Sequence, residues 1–338
     1  MWHPQKHPKA YEWWYFDALS DDGSEAVVMV FLDNFIYSPR YNRKENGNSS
    51  GTTRYPAVSF SYFSGGKRVY RAESEYAAGE FSANEASPEC RIGKSSFHYD
   101  SAAYGSGYMA NVDLPLSRGR RLIAELEWVS IEADFASAPF CYDDAAHCWN
   151  MVAPRADVSG KITVLDSSGR TIDTRSFRGT GYHDHNLDNR WLASTVRQWH
   201  WGRAHFTDAT AVFCRYAEIG ESEPQTRLMI IKDGILEPRE VRSEEQDYVR
   251  DRFGIKYPTR ISIESKEGLR LEARPLKVID SSFYHLRFLS SITLHGSGDR
   301  EHSTTGITEF IAPRALKYRW LNWLTDLRTG QNGRGPRF

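Results

Sequence analysis

The pattern that most constrains this chain is alternation. Leu122, Ala124, Leu126 and Trp128 alternate with Ile123, Glu125, Glu127 and Val129, as in a strand that buries one face of its pleat. Similar runs occupy Ala26–Leu32, Ala57–Phe63, Lys161–Leu165, Ala209–Ala217, Arg227–Ile231, Arg260–Glu264 and Tyr284–Leu294. Turn pairs separate them: Asp22-Gly23, Gly65-Gly66, Ser168-Gly169, Asp233-Gly234 and Glu267-Gly268. Short strands joined by tight turns predict antiparallel meanders that close as sandwiches or barrels. A length of 338 residues allows two such domains, each with its own core. The break is expected at Asn189–Arg197, after one barrel's worth of strands, giving domains 1–192 and 193–338.

One segment has a different period. After Pro313, the residues Leu316, Trp320, Trp323, Leu324 and Leu327 recur at helical spacing. They predict an amphipathic helix over Arg314–Leu327, packed on or plugging the second domain. The tail Thr329–Phe338 is expected to fray. Ser38–Arg54, rich in Asn, Ser and Gly, reads as a disordered loop or a lid over a site.

Composition narrows the function classes. A formal net charge of −1 supplies no field that would draw the chain to nucleic acid or an anionic bilayer. No apolar run approaches the roughly 20 residues of a membrane span, and no basic-then-apolar leader follows Met1; a cytoplasmic protein is expected. The cysteines Cys90, Cys141, Cys148 and Cys214 form no CxxC pair or zinc spacing. No GxGxxG opens a helix and no Walker loop is present, so a cofactor-free protein is expected. Aromatic residues reach 13%, which suits a pleated surface and a pocket for a small hydrophobic substrate.

Two segments place reactive side chains on one strand face. In Ala146–Met151 alternation aligns His147, Trp149 and Met151. In Gly181–Asn186 it aligns Tyr182, Asp184 and Asn186, leaving His183 and His185 opposite. If both strands face one barrel interior, a carboxyl, an imidazole and aromatic faces converge into an acid–base site. The structural alternative has Asp and Asn closing turns and the histidines bonded to backbone carbonyls. His183 and His185 share a face, but zinc would need a third ligand from elsewhere, so no metal site is expected. In Glu12–Asp17, Glu12, Trp14 and Phe16 share one face and Trp13, Tyr15 and Asp17 the other, so two of the four rings must pack away from the interior. Trp199 and Trp201 share a face with Arg197, Arg203 and His205; Arg203 has the charge to neutralise a buried acid or cap a barrel end. Trp14, Met151, Asn186, Trp199, Trp201 and Arg203 are the candidate substrate contacts.

These segments carry a family likeness. Glu12-Trp13-Trp14-Tyr15, Trp149 through Val158-Ser159-Gly160, Gly179 through Asn186, Trp199-His200-Trp201-Gly202-Arg203 and Gly306-Ile307-Thr308-Glu309-Phe310 resemble the carotenoid hydratase (hydroxyneurosporene synthase) and AttH-like family. The likeness extends from residue 12 to about 312 and implies two consecutive lipocalin-like β-barrel domains. It further implies that His147-x-Trp149 and Tyr182-x-Asp184 add water across a terminal isoprenoid double bond, with Asp184 as proton donor and Tyr182, Trp149 and His147 around it. The histidines flanking Asp184 are closer to the AttH-like branch. Lipocalin-fold Diels–Alderases are similar at a greater distance.

Protonating an unactivated alkene makes a tertiary cation. An Asp in an apolar barrel can remain protonated because desolvation disfavours its anion, and Trp and Tyr faces stabilise positive charge without trapping it. Water then adds to the apolar isoprenoid or polyketide-like substrate, as in a hydratase of secondary metabolism, or another group of the same substrate adds, as in a cyclase. Two other readings stay open: a pericyclase that holds a polyene folded, and a non-catalytic carrier of a hydrophobic ligand.

Overall fold

The computed structural model describes residues 1–5, 7–42, 54–102, 105–131, 140–141, 147–296, 301–318, 320–321 and 328–329. The chain divides into two compact units, Met1–Leu192 with Thr325–Phe338, and Ala193–Leu324. In chain order the first carries β1 (Tyr11–Ser20), β2 (Glu25–Leu32), β3 (Ala57–Ser64), β4 (Lys67–Glu75), β5 (Phe81–Ala83) and β6 (Glu89–Ile92). It continues with β7 (Ser95–Ala102), β8 (Gly105–Pro115), β9 (Arg121–Ser130), β10 (Phe140–Cys141), β11 (Cys148–Leu165) and β12 (Thr171–Asp188). The second unit holds β13 (Val196–His205), β14 (Thr210–Glu218), β15 (Gln225–Lys232), β16 (Ile235–Arg239) and β17 (Val241–Arg250). Then follow β18 (Lys256–Ser265), β19 (Arg270–Ser281), β20 (His285–His295) and β21 (Glu301–Ile311); β22 (Arg328–Thr329) belongs to the first unit again and pairs in parallel with β4.

Each unit is one curled sheet whose other described pairs are antiparallel. The first runs β22-β4-β3-β2-β1-β12-β11-β9-β8-β7-β6-β5, with β10 on β11; it curls until β3 and β4 approach β8. The second runs β16-β15-β14-β13-β21-β20-β19-β18-β17 and curls until β15 approaches β17. The architecture is therefore a pair of lipocalin-like half-barrels, as the alternation implied. The expected turn glycines at 23, 65, 66, 169, 234 and 268 all have positive φ.

Within the first unit the concave side is filled by Trp14, Phe16, Met29, Phe31, Phe60, Phe97, Tyr108 and Trp128 with smaller aliphatic residues. Full burial of each large side chain is worth about 1.5–3 kcal/mol, so this layer holds β1, β12 and β11 in place. Trp128 Nε1 donates to the Asp17 carbonyl oxygen at 3.3 Å. A Cβ on Gly181 would lie 2.6 Å from that same Trp128 nitrogen. Gly181 is thus the space through which the indole reaches β1. The second unit has its own core, including Phe213, Leu228, Ile261, Ile263, Leu271 and Ile292.

The helix expected over Arg314–Leu327 is not supported. A five-residue 3-10 turn at Pro313–Lys317 packs against β13 and ends at Tyr318, whose φ of −90° and ψ of 103° are extended. Leu316 is buried but Trp320 is 71% exposed, so these two residues of the stripe do not share one buried face. Residues 322–327 lie outside the described residues, as do 43–53 of the predicted Ser38–Arg54 loop and 330–338 of the tail. Ser38, Tyr41 and Asn42, at the start of that loop, are buried.

Candidate acid–base site

Three neighbouring strands at the middle of the first sheet build the site. β12 lies between β1 and β11, with Tyr15 opposite Asp184 and Asp17 opposite Tyr182 on one side. On its other side Trp149 stands opposite Asn186 and Met151 opposite Asp184. Directly opposed residues project from the same face of a sheet. One face therefore carries Trp13, Tyr15 and Asp17 from β1, Tyr182, Asp184 and Asn186 from β12, and Trp149 and Met151 from β11, with His147 just ahead of β11. The register of β11 shifts between Met151 and Ala153, a bulge of the kind that re-aims side chains beside a site.

Asp184 is the centre of a dense set of hydrogen bonds. Trp149 Nε1 donates to its Oδ2 at 2.9 Å and reaches the Tyr182 hydroxyl at 3.2 Å. The Tyr182 hydroxyl donates to the same Oδ2 at 2.9 Å, and Asn186 Nδ2 donates to Oδ1 at 2.7 Å. His147 Nε2 is 3.1 Å from Asn186 Oδ1, and the Tyr11 hydroxyl is 3.4 Å from His147 Nδ1. The donor directions are set by chemistry. The Asn186 amide nitrogen must donate, so its oxygen accepts from His147 Nε2–H, and His147 Nδ1 is left to accept from Tyr11. Burial lowers the His147 pKa to about 3, which keeps the imidazole neutral in this tautomer. Burial, reinforced by the Asp184 charge, raises the Tyr182 phenol well above its ordinary value, so the phenol is not ionised. If Asp184 takes a proton on Oδ2, the Tyr182 contact reverses direction without moving a heavy atom, because a hydroxyl both donates and accepts.

The expected division of faces holds, but the site is not inside the half-barrel. His183 and His185 point to the concave side: His183 stacks on Phe16 at 3.8 Å and its Nδ1 donates to the Tyr15 carbonyl oxygen at 2.9 Å. The Asp184 cluster occupies the opposite face and is buried all the same, with Trp149 and Tyr182 at 0% and Asp184 at 5% exposure. Trp14 is corrected accordingly. It stacks on His185 at 5.1 Å among the core aromatics, and alternation along β1 gives the site face to Trp13 and Tyr15 instead. Asn186 orients Asp184. Met151 borders it. Trp199, Trp201 and Arg203 are buried on β13 of the second unit, where Trp199 meets Tyr216 edge-on at 5.7 Å.

His185 Nε2 approaches Glu12 Oε1 at 2.6 Å, and His3 Nδ1 approaches the same oxygen at 3.0 Å. Burial pushes the Glu12 pKa up, but the bonds from His185 and His3 outweigh it and hold the carboxyl below its ordinary value. Burial keeps His185 neutral. Ligand atoms at about 2.0–2.2 Å from one zinc ion stand roughly 3.3 Å apart in a tetrahedron. The 2.6 Å contact is a hydrogen bond and not a ligand spacing.

The fold and this cluster together define a lipocalin-like β protein with a buried, hydrogen-bonded carboxyl among aromatic rings on its central strands. The model of the family described as carotenoid hydratase CrtC matches residues 83–334. The chain belongs to that family and is an enzyme of the hydratase class. A relative named hydroxyneurosporene dehydrogenase, from Chlorobaculum tepidum, is 25% identical over 98% of this chain and 90% of its own length. An acyclic carotenoid 1,2-hydratase of Thiocapsa roseopersicina is 26% identical over 61% of this chain, the match spanning 47% of that protein. Among solved structures, an AttH-like protein of Nitrosomonas europaea superposes with a TM-score of 0.62 over 89% of this chain and 92% of its own, at 14% identity. At that identity the likeness concerns the fold alone.

Proposed function

We propose that the protein hydrates a terminal carbon–carbon double bond of an apolar isoprenoid, with Asp184 as the proton donor. The observation that carries this reading is the Asp184 carboxyl itself. Its Oδ1 is fixed by Asn186, and its Oδ2 lies between Trp149 and the Tyr182 hydroxyl. The proton on Oδ2 passes to the less substituted alkene carbon and leaves a tertiary cation. The aromatic rings of Trp13, Tyr15, Trp149 and Tyr182 favour that charge by about 0.5–2 kcal/mol for each well-placed face. Water then adds to the cation, and the released proton returns to a carboxylate. The steps move protons and one water and change no oxidation state overall. His147 positions the donor through Asn186 and has no contact with the reacting carbon in this scheme. Family membership supports a hydrophobic substrate, and an acyclic carotenoid is the proposed one.

The test is turnover of lycopene in detergent micelles with oxygen-18 water. A hydroxylated product carrying one labelled oxygen is expected. An isomer that contains no new oxygen would replace this reading with a cyclase or pericyclase, and lycopene bound but unchanged would replace it with a carrier.

A further inference from the structure

Hydration of an alkene needs a group that gives a proton to carbon and a group that takes one from water. The cluster around Asp184 accounts for the first. A second carboxyl lies beside it on the strand that sequence patterning treated as packing. Tyr15-x-Asp17 on β1 repeats, in antiparallel register, the Tyr182-x-Asp184 of β12: Tyr15 opposes Asp184 and Asp17 opposes Tyr182. The internal geometry repeats as well. The Tyr15 hydroxyl donates to Asp17 Oδ2 at 2.9 Å, as the Tyr182 hydroxyl does to Asp184 Oδ2 at 2.9 Å. The two phenol rings are 6.4 Å apart and inclined at 60°. Asp17 is fully buried, and its backbone is held by Trp128 over Gly181. β1 lies ahead of residues 83–334, the region matched by the family model.

We propose that Asp17 is the general base of the hydration, working with the Tyr15 hydroxyl, and that the two Tyr-x-Asp pairs divide the proton transfers between them. This rests on the hydratase reading given above. Asp17 and Asp184 are diagonal neighbours on adjacent strands, a relation that puts the residues about 7–8 Å apart and their side-chain origins somewhat closer, so that both carboxyls can serve one bound substrate. A pair of carboxyls divides the proton transfers around an attacking water in the same way in inverting glycosidases. Asp184 gives its proton to the alkene carbon and becomes a carboxylate. A water oxygen bonds to the cation, and its proton passes to the Asp17 carboxylate directly or through the Tyr15 hydroxyl. Transfer back across the Tyr15 and Tyr182 hydroxyls restores both carboxyls, and the net reaction is alkene plus water to alcohol.

The scheme separates protonation from hydration, and deuterium reads the two independently. Lycopene in detergent micelles is incubated in deuterium oxide with the parent protein, Asp17→Asn and Asp184→Asn, and both hydroxylated product and deuterium in recovered lycopene are measured. In Asp17→Asn hydration should fall by roughly 10²–10⁴, the usual loss for a positioned base. Deuterium should still accumulate in recovered lycopene, because the cation forms and collapses by proton loss. Asp184→Asn should show neither reaction. Hydration by Asp17→Asn within twofold of the parent overturns the base role while leaving the hydratase reading intact. So does the mirrored pattern, with exchange in Asp184→Asn and none in Asp17→Asn. Absence of both reactions in the parent overturns the hydratase reading and this inference with it. Tyr15→Phe keeps the Asp17 carboxyl and guards against misfolding of Asp17→Asn. It should raise the ratio of exchange to hydration, and an unchanged ratio counts against the proposal.

Discussion

His183 offers a quantitative check on how β1 and β12 are held together. Burial lowers its pKa from 6.5 to about 3, while the unfolded chain keeps the ordinary value. A histidine depressed in the folded state contributes its full stability above the unfolded pKa and loses it as the pH falls toward the folded one. Between pH 7.5 and pH 5 the unfolded state takes up a proton that the folded state refuses. At 1.36 kcal/mol per pKa unit this costs about 2 kcal/mol. His147, also lowered to about 3, contributes in the same direction. Asp33 opposes them: burial raises its pKa to about 7, so the folded state gains stability as the pH falls from 7 towards 3.8. The histidines and Asp33 thus pull the parent's stability in opposite directions as the pH falls, and a comparison with His183→Phe cancels every shared group. The variant keeps the stack on Phe16 and loses the bond to the Tyr15 carbonyl, a penalty of about 0.5–1.5 kcal/mol at pH 7.5 for a neutral hydrogen bond. Relative to the parent, the variant should gain about 2 kcal/mol on going from pH 7.5 to pH 5. Urea unfolding followed by tryptophan fluorescence at the two pH values measures it. An equal penalty at both would show that His183 is not held neutral in the folded state.

Trp149→Phe keeps an aromatic face but removes the indole donor to Asp184 Oδ2; a bond between neutral groups is worth about 0.5–1.5 kcal/mol, so kcat for hydration should fall roughly 2–12-fold, and an unchanged kcat would sink the role assigned to Nε1. His147→Ala frees the Asn186 amide to rotate and should lower kcat several-fold, with KM little changed, as for a neutral bond of about 0.5–1.5 kcal/mol; a change confined to KM would place His147 at the substrate instead.

Much of this arrangement was legible in the amino-acid sequence, because alternation is local. The pairing of Tyr182, Asp184 and Asn186 on one side, with His183 and His185 on the other, follows from the pleat alone. So does the split of Trp14 and Phe16 from Trp13, Tyr15 and Asp17. Alternation does not say which of two faces meets the core, and both faces of β1 and of the Gly181–Asn186 stretch of β12 are buried. Trp14 was therefore expected at the site and Tyr15 was not. Register between β1 and β12 joins residues far apart in the chain, such as Tyr15 and Asp184, and no local pattern records it. The C-terminal stripe misled for a related reason. Its spacing suits a helix, but the backbone turns extended at Tyr318 and leaves Trp320 in solvent.

The central claim is that Asp184 supplies the proton. Asp184→Asn keeps the shape of the group, its oxygen accepting from Asn186 and its amide nitrogen donating to the Tyr182 hydroxyl while Trp149 Nε1 turns to that hydroxyl, but it carries no transferable proton. Its melting temperature should remain near that of the parent. Single-turnover hydration of lycopene should fall by roughly 10²–10⁴, the range for losing a positioned acid. A variant that melts normally and still hydrates at more than about half the parent rate would contradict the account.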